Sequence, residues 1–196
     1  MARIERVSPE EAGEDIAGVF QYARDGFAAM TGRHTEGAVE PLQIYAHVPS
    51  LLRGVLALAQ ATAGLKGLPR RYEVLATLRA ATLTQCGWCI DISSQVSRLS
   101  GLRDEELLAL PNYGSSNLFS NLDKLVLDYA TGVSRTPVDV SDELFEALQE
   151  HFDEGQLVEL THAIALENMY GRFNHAMGIG ASGFTEGMVC AVPASA

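Results

Sequence analysis

Signals that start and stop helices recur along this chain at intervals of about one helix, and no run of alternating β-branched residues falls between them. A strand needs such alternation to turn its apolar side chains onto one face of a sheet, so the sequence predicts an all-α fold. Ser8-Pro9-Glu10-Glu11 supplies an N-cap, a proline at the first helical position and a glutamate three residues past the cap. Ile16, Val19, Phe20, Ala23 and Phe27 follow at helical spacing, which predicts a first helix running to near Gly32. Arg33 to Glu40 is polar and has no period.

Pro49 opens a second apolar stripe through Leu51, Leu52, Val55, Leu56 and Leu58. Gly64 to Pro69 separates it from a third helix, read from about Arg70 through Leu75 and Leu78 to Ala81. Thr84 reads as the cap of a fourth, ending at Gly101, with Cys86 and Cys89 in its first turns. Past Pro111 a loop, Asn112 to Asn117, precedes a helix capped at Ser120. Ser141-Asp142-Glu143 starts another, and Asp153-Glu154-Gly155-Gln156 starts the last and longest, which carries Leu157, Leu160, Ile164, Met169, Phe173 and Met177. The tail beyond Gly178 is rich in Gly, Ala and Ser and is expected to be loose. No residue-level repeat joins the two halves, so residues 1–196 read as a single domain, with 47% hydrophobic residues enough for one substantial core.

Charge narrows the partners. With 14 Lys+Arg against 25 Asp+Glu, the net charge of −11 repels phosphate backbones and anionic lipid, so neither nucleic acid nor membrane is expected. The N-terminus lacks the apolar stretch of a secretory signal, and no segment approaches the roughly 18 apolar residues of a span; a soluble protein of the reducing cytoplasm is the expectation. Three cysteines are an odd number for a disulfide framework.

Cys86-Gly87-Trp88-Cys89 is the segment that carries chemistry. Three residues apart on a helix, the two side chains share a face with Cβ atoms roughly 5–6 Å apart, and a small adjustment reaches the roughly 3.5–4.5 Å of a disulfide. The positive end of the helix dipole favours thiolate over thiol. Zinc usually takes four ligands, and only Cys190 and five scattered histidines could complete a set, so no metal and no other cofactor is expected.

Leu68-Pro69-Arg70-Arg71, Leu78-Arg79-Ala80-Ala81, Cys86-Gly87-Trp88-Cys89-Ile90-Asp91 and Gly101-Leu102-Arg103-Asp104-Glu105-Glu106 together resemble the core of the carboxymuconolactone decarboxylase/AhpD-like (alkylhydroperoxidase) family. Ala46-His47-Val48-Pro49 upstream resembles it too, as do Gln156 to Thr161, Asn168 and Arg172-Phe173-Asn174, so the likeness covers about residues 42–178. The resemblance implies an AhpD-like helical bundle that assembles as homo-trimers or hexamers, with a CxxC dithiol that reduces hydroperoxides. By position, Cys89 would be the attacking thiol and Cys86 the resolving one, with an external dithiol as reductant; the dipole alone would favour Cys86 as the thiolate.

Two departures from the redox pattern predict attenuated activity. The family's histidine four residues after the second cysteine is Ser93 here, and a hydroxyl is no base near neutral pH. The family's glutamate twelve residues before the first cysteine is Val74, with Glu73 one residue earlier and about 100° around the helix. His162 and His175 on the last helix are candidates for the missing base, whereas Asp91 reads as structural, Trp88 as core and Cys190 as incidental. The leading function is a thiol peroxidase or disulfide oxidoreductase, which needs the two sulfurs at a solvent-reachable spot. The alternatives are a non-redox enzyme of the decarboxylase kind acting on a small organic acid or lactone, with Arg79, Arg172 or His175 as anion ligands, or a non-catalytic oligomeric binding protein with a vestigial CxxC.

Overall fold

Past its charged first turn, Arg70–Thr84 buries Val74, Leu75, Ala76, Leu78, Ala80, Ala81 and Thr82 on most of its faces, and a helix buried in that way belongs in the middle of a bundle. In the computed structural model, which describes residues 2–193, it does lie there, as the fourth of nine α-helices among the described residues. The order is α1 Glu14–Thr31, α2 Glu40–Tyr45, α3 Pro49–Ala63, α4 Arg70–Thr84, α5 Gly87–Leu99, α6 Asp104–Ala109, α7 Asn121–Ser134, α8 Asp142–Gln149 and α9 Glu154–Met177. No strand occurs among the described residues.

Helix α4 packs against α9, α7 and α5. Near the start of α9, Glu159 accepts the backbone N–H of Leu68 at 2.8 Å, just ahead of α4. Near its end, Gly171 sits against Thr84, where a Cβ would run into the threonine side chain. The two helices therefore lie side by side in the same direction. One side of α4 joins Val126, Leu148 and Leu160, and the other joins Leu107, Leu127 and the two cysteines.

The capping signals are real, and two of them act differently from the reading above. Ser120, Ser141 and Asp153 each accept a backbone N–H at the start of their helices. Ser8 and Glu11 cap each other reciprocally, but the turn closes after one step, because Gly13 takes φ 76° and α1 starts only at Glu14. Thr84 is not a cap: its hydroxyl donates back to Ala80 and Ala81 inside α4. Gln85, at φ 53°, ends α4 in the left-handed conformation, and Cys86 is itself the N-cap of α5. Within the aperiodic stretch Arg33 to Glu40 lies a 3-10 turn, Glu36–Val39, that feeds α2.

A charged cluster ties α4 to α6 and α7. Arg71 donates from Nε to Asp123 at 2.8 Å and from Nη2 to Glu106 at 2.8 Å. Burial pushes the Asp123 carboxyl up, but the Arg71 bond and the Ser120 backbone and hydroxyl outweigh it and hold it below its usual range. Burial likewise pushes the Glu106 carboxyl up, and the bonds from the Arg103 backbone and from the Arg71 and Arg103 side chains outweigh it and hold it below its usual range. Arg71→Met would leave buried Asp123 without a cation and Glu106 with Arg103 alone, and we expect urea unfolding to show a loss of about 2–3 kcal/mol, the low side for a broken buried pair because Arg71 is open to water on one side. Since both carboxyls are depressed on folding, their stabilisation is present above about pH 4.5 and is lost as pH falls below that; the variant should show a shallower acid limb, with the part due to Arg103 and the backbone donors retained.

Candidate functional site: the dithiol at the start of helix α5

Gln85 turns the chain so sharply that only Cys86 separates it from the first residue of α5, with Cys86 at the N-cap and Cys89 three residues on. The Cα atoms are 5.2 Å apart and the sulfurs are joined as a disulfide. The Cys89 backbone N–H donates to Cys86 Sγ at 3.2 Å, so a sulfur does what a serine oxygen usually does at a helix start. Asn174 of α9, itself buried, donates from Nδ2 to Cys89 Sγ at 3.5 Å. Each sulfur thus faces one N–H donor, and the start of α5 adds the positive end of its dipole.

The sulfurs are not at a solvent-reachable spot, contrary to the expectation from sequence: Cys86 is 0% and Cys89 1% exposed. The tail is the reason, and it is not loose. Asp91, 2% exposed on α5, accepts backbone N–H bonds from Ser182, Gly183, Phe184 and Thr185 at 2.8–3.0 Å and the Thr185 hydroxyl at 2.6 Å. Gly87 lets the tail lie close, since a Cβ there would stand 3.2 Å from the Ala181 nitrogen. Ala191 then packs in the cluster that holds both cysteines, and its N–H donates to Ser94 at 3.0 Å. Trp88 is held by Phe27 and Phe184 at ring-centroid distances of 5.5 and 5.9 Å. Cys190 is drawn against α5 as well, 3.5 Å from Ser94 Oγ. A cavity of about 420 Å³ opens beside the same tail loop between Arg33 and Ser182, but neither cysteine lines it.

The other residues singled out in the sequence are dispersed. Ser93 is half-buried one turn past Cys89, with no hydrogen bond to either sulfur among the described residues. Glu73 pairs with Arg70 at 2.7 Å, and it stands at the opposite end of α4 from the dithiol, roughly 16 Å from Thr84 along the axis. Val74 lies in the apolar cluster of the cysteines. His162 shares a hydrogen bond with Thr62 of α3 at 2.9 Å. His175 Nδ1 meets the Gln85 carbonyl at 3.1 Å, which steadies the residue before Cys86 without touching sulfur. Arg79 donates to Thr131 and lies 5.2 Å from the Tyr113 ring centre, while Arg172 donates to Asn168 and to the Ser134 carbonyl. These cations and His175 do not converge on a common pocket. Among the described residues no group of three or more His, Cys, Asp or Glu is placed to hold a metal ion, and no helix is long and apolar enough to cross a membrane. Asn174 had no role in the sequence reading; nothing local marks an asparagine on a long helix as the partner of a sulfur 85 positions away.

Fold and site define a class: an all-α bundle with a disulfide-joined cysteine pair at a helix start. Residues 49–120, from α3 through the dithiol to the cap of α7, match the Carboxymuconolactone decarboxylase family. The uncharacterized protein YnjA of Escherichia coli (strain K12) is 41% identical over 120 residues, which are 61% of this chain and 63% of that protein. The matched stretch thus spans less than two thirds of that relative's length. Among solved structures, the debrominase Bmp8 in its apo form superposes with a TM-score of 0.74 at 17% identity over 91% of each chain. An uncharacterized peroxidase-related protein from Ralstonia eutropha JMP134, described as an alkylhydroperoxidase AhpD core, gives 0.73 at 19% identity over 92% of each chain. At these identities the likeness is one of fold, and the fold is AhpD-like.

Asp91→Asn keeps the size of the side chain but turns one acceptor oxygen into a donor that faces tail N–H groups. A lost charge-assisted bond is worth about 1.5–3 kcal/mol, so the open tail should be populated tenfold more or beyond. We expect dithiothreitol to reduce Cys86–Cys89 about tenfold faster in the variant, read by trapping the freed thiols with iodoacetamide; an unchanged rate would mean that the tail does not govern access.

Proposed function

We propose that the protein is a thiol-dependent peroxidase or disulfide oxidoreductase that works through Cys86 and Cys89. The observation that carries this reading is the joined pair itself, with the Asn174 amide on Cys89 Sγ. Each sulfur faces one N–H donor, so the choice of Cys89 as the attacking thiolate rests on the family resemblance. Because both sulfurs are buried, the tail held by Asp91 must open first. In the reduced, opened protein the Cys89 thiolate attacks the terminal peroxide oxygen, the O–O bond breaks, and the alkoxide leaves with a proton as the alcohol. The Cys89 sulfenic acid then loses water to the Cys86 thiol, forming the disulfide. An external dithiol returns two electrons and two protons by thiol–disulfide exchange. A reducing, cytoplasmic setting would keep such a donor supplied. Ser93 and Val74 stand where redox relatives carry acid–base side chains, so turnover is proposed to be slower than theirs.

Self-assembly belongs to the proposal. Helix α3 is strongly apolar, yet only Leu52 on it is fully buried; Leu51 is 51% and Leu58 36% exposed, two turns apart on one face. A second copy of the chain, in a trimer or hexamer, is the proposed cover.

Consumption of an alkyl hydroperoxide in the presence of dithiothreitol should fall to background in Cys89→Ser; equal rates for the two proteins would remove the peroxidase reading. Leu51→Glu combined with Leu58→Glu should move the protein to the monomer position in size-exclusion chromatography with light scattering, whereas an unchanged mass would show that α3 is not the interface.

A further inference from the structure

The site described so far lacks an acid–base group, since Ser93, Glu73, His162 and His175 all fall short of the sulfurs. One carboxyl remains unassigned. Glu167 of α9 has its Oε1 shut off from water without a hydrogen-bond partner. It precedes Asn174 by seven residues, so it lies on the same face of α9, about 10 Å back along the axis. Parallel packing of α9 on α4, with Gly171 against Thr84, puts Glu167 one turn lower, near the level of buried Ala80 and Ala81. Tyr170 stands between Glu167 and Asn174 and packs on the cluster that contains both cysteines. Tyr45 of α2 faces Tyr170 from the other side and stacks on Phe173 at 4.0 Å.

We infer that Glu167 stores and returns the proton of the Cys86–Cys89 dithiol, acting through the Tyr170 hydroxyl; the inference rests on the redox reading above. The ionisable groups facing this strip are Tyr170 and Tyr45, and neither offers a cation. Burial pushes the Glu167 carboxyl up to about 7, where it exchanges protons near neutral pH, and burial first, then Tyr45 and Glu167, push the Tyr170 phenol to about 12. In the reduced site the Glu167 carboxylate takes the Cys89 thiol proton. The thiolate attacks the peroxide, and the Glu167 carboxylic acid gives that proton to the departing alkoxide, so the carboxylate is restored and the alcohol leaves. When an external dithiol attacks the disulfide as a thiolate, the proton it sheds recharges Glu167, and the resulting acid protonates the protein sulfur released as thiolate. Tyr170 serves as a relay and Glu167 as a positioning residue for the proton, neither being consumed.

The test is the rate at which dithiothreitol reduces the disulfide, from about pH 5 to about pH 9, in wild type, Glu167→Gln, Glu167→Asp and Tyr170→Phe. The ratio of wild-type to Glu167→Gln rates should be about tenfold in the acid range, where Glu167 holds its proton, and should approach unity above a midpoint near 7. Tyr170→Phe should follow Glu167→Gln, and Glu167→Asp should recover most of the wild-type profile. Thermal unfolding provides the control: an acid raised on folding costs stability as pH rises through its ordinary range toward 7, so Glu167→Gln should gain relative to wild type above that pH. A stability gain with a rate ratio that is flat across pH would make Glu167 merely a buried carboxyl and would overturn the inference. This measurement needs no peroxide, so an inactive wild type in the peroxide assay would sink the function above and leave the proton assignment still decidable.

Discussion

The carboxylate of Asp91 decides what the rest of the site can be. Five donors from residues 182–185 converge on its two oxygens, and charge-assisted bonds of this kind are the strong ones. A stretch with no apolar periodicity is thereby fixed to a helix that does have it. Because Asp91 lies two residues past Cys89, the fixed stretch crosses the first turn of α5, and the dithiol ends up inside the protein rather than at its surface. A disulfide sealed in this way is protected from casual exchange, and access becomes a property of the tail.

Helix α4 supplies the second constraint. Its alanines, with Gly171 opposite, let α9 run alongside closely enough for Asn174 to reach Cys89. Glu167, Tyr170 and Asn174 follow one another along the same face of α9, and the last of them reaches a sulfur. Positions 73 and 74 on α4 and 93 on α5 place no acid–base group in hydrogen-bond contact with sulfur, so the proton store inferred above lies on α9.

Features written in adjacent residues were legible in the sequence. The Ser120, Ser141 and Asp153 caps, the helix opening at about Arg70 and the CxxC spacing are local patterns, and each appears in the structure where the residues placed it. The errors arose where a remote partner decides. Cys86 displaced Thr84 as the cap because Gln85 alone makes the turn between two helices, and no composition rule favours glutamine at φ 53°. The tail looked loose because its anchor is one aspartate about 90 residues away. Nothing in the residues around Glu167 marks it out on a long helix, and its Oε1 leaves water only in the folded structure. Helix α2 is six residues long, too short to show a period.

The account stands on Cys86 and Cys89 being one reversible couple in the folded protein. Trypsin would release both in a single peptide, Ala80 to Arg98, apart from Cys190. Reduced native protein given one equivalent of hydroperoxide should yield that peptide lighter by two hydrogens, with Cys190 still a thiol, and dithiothreitol should restore its mass. A peptide whose cysteines stay as thiols under that treatment, or a link from either one to Cys190, would contradict it.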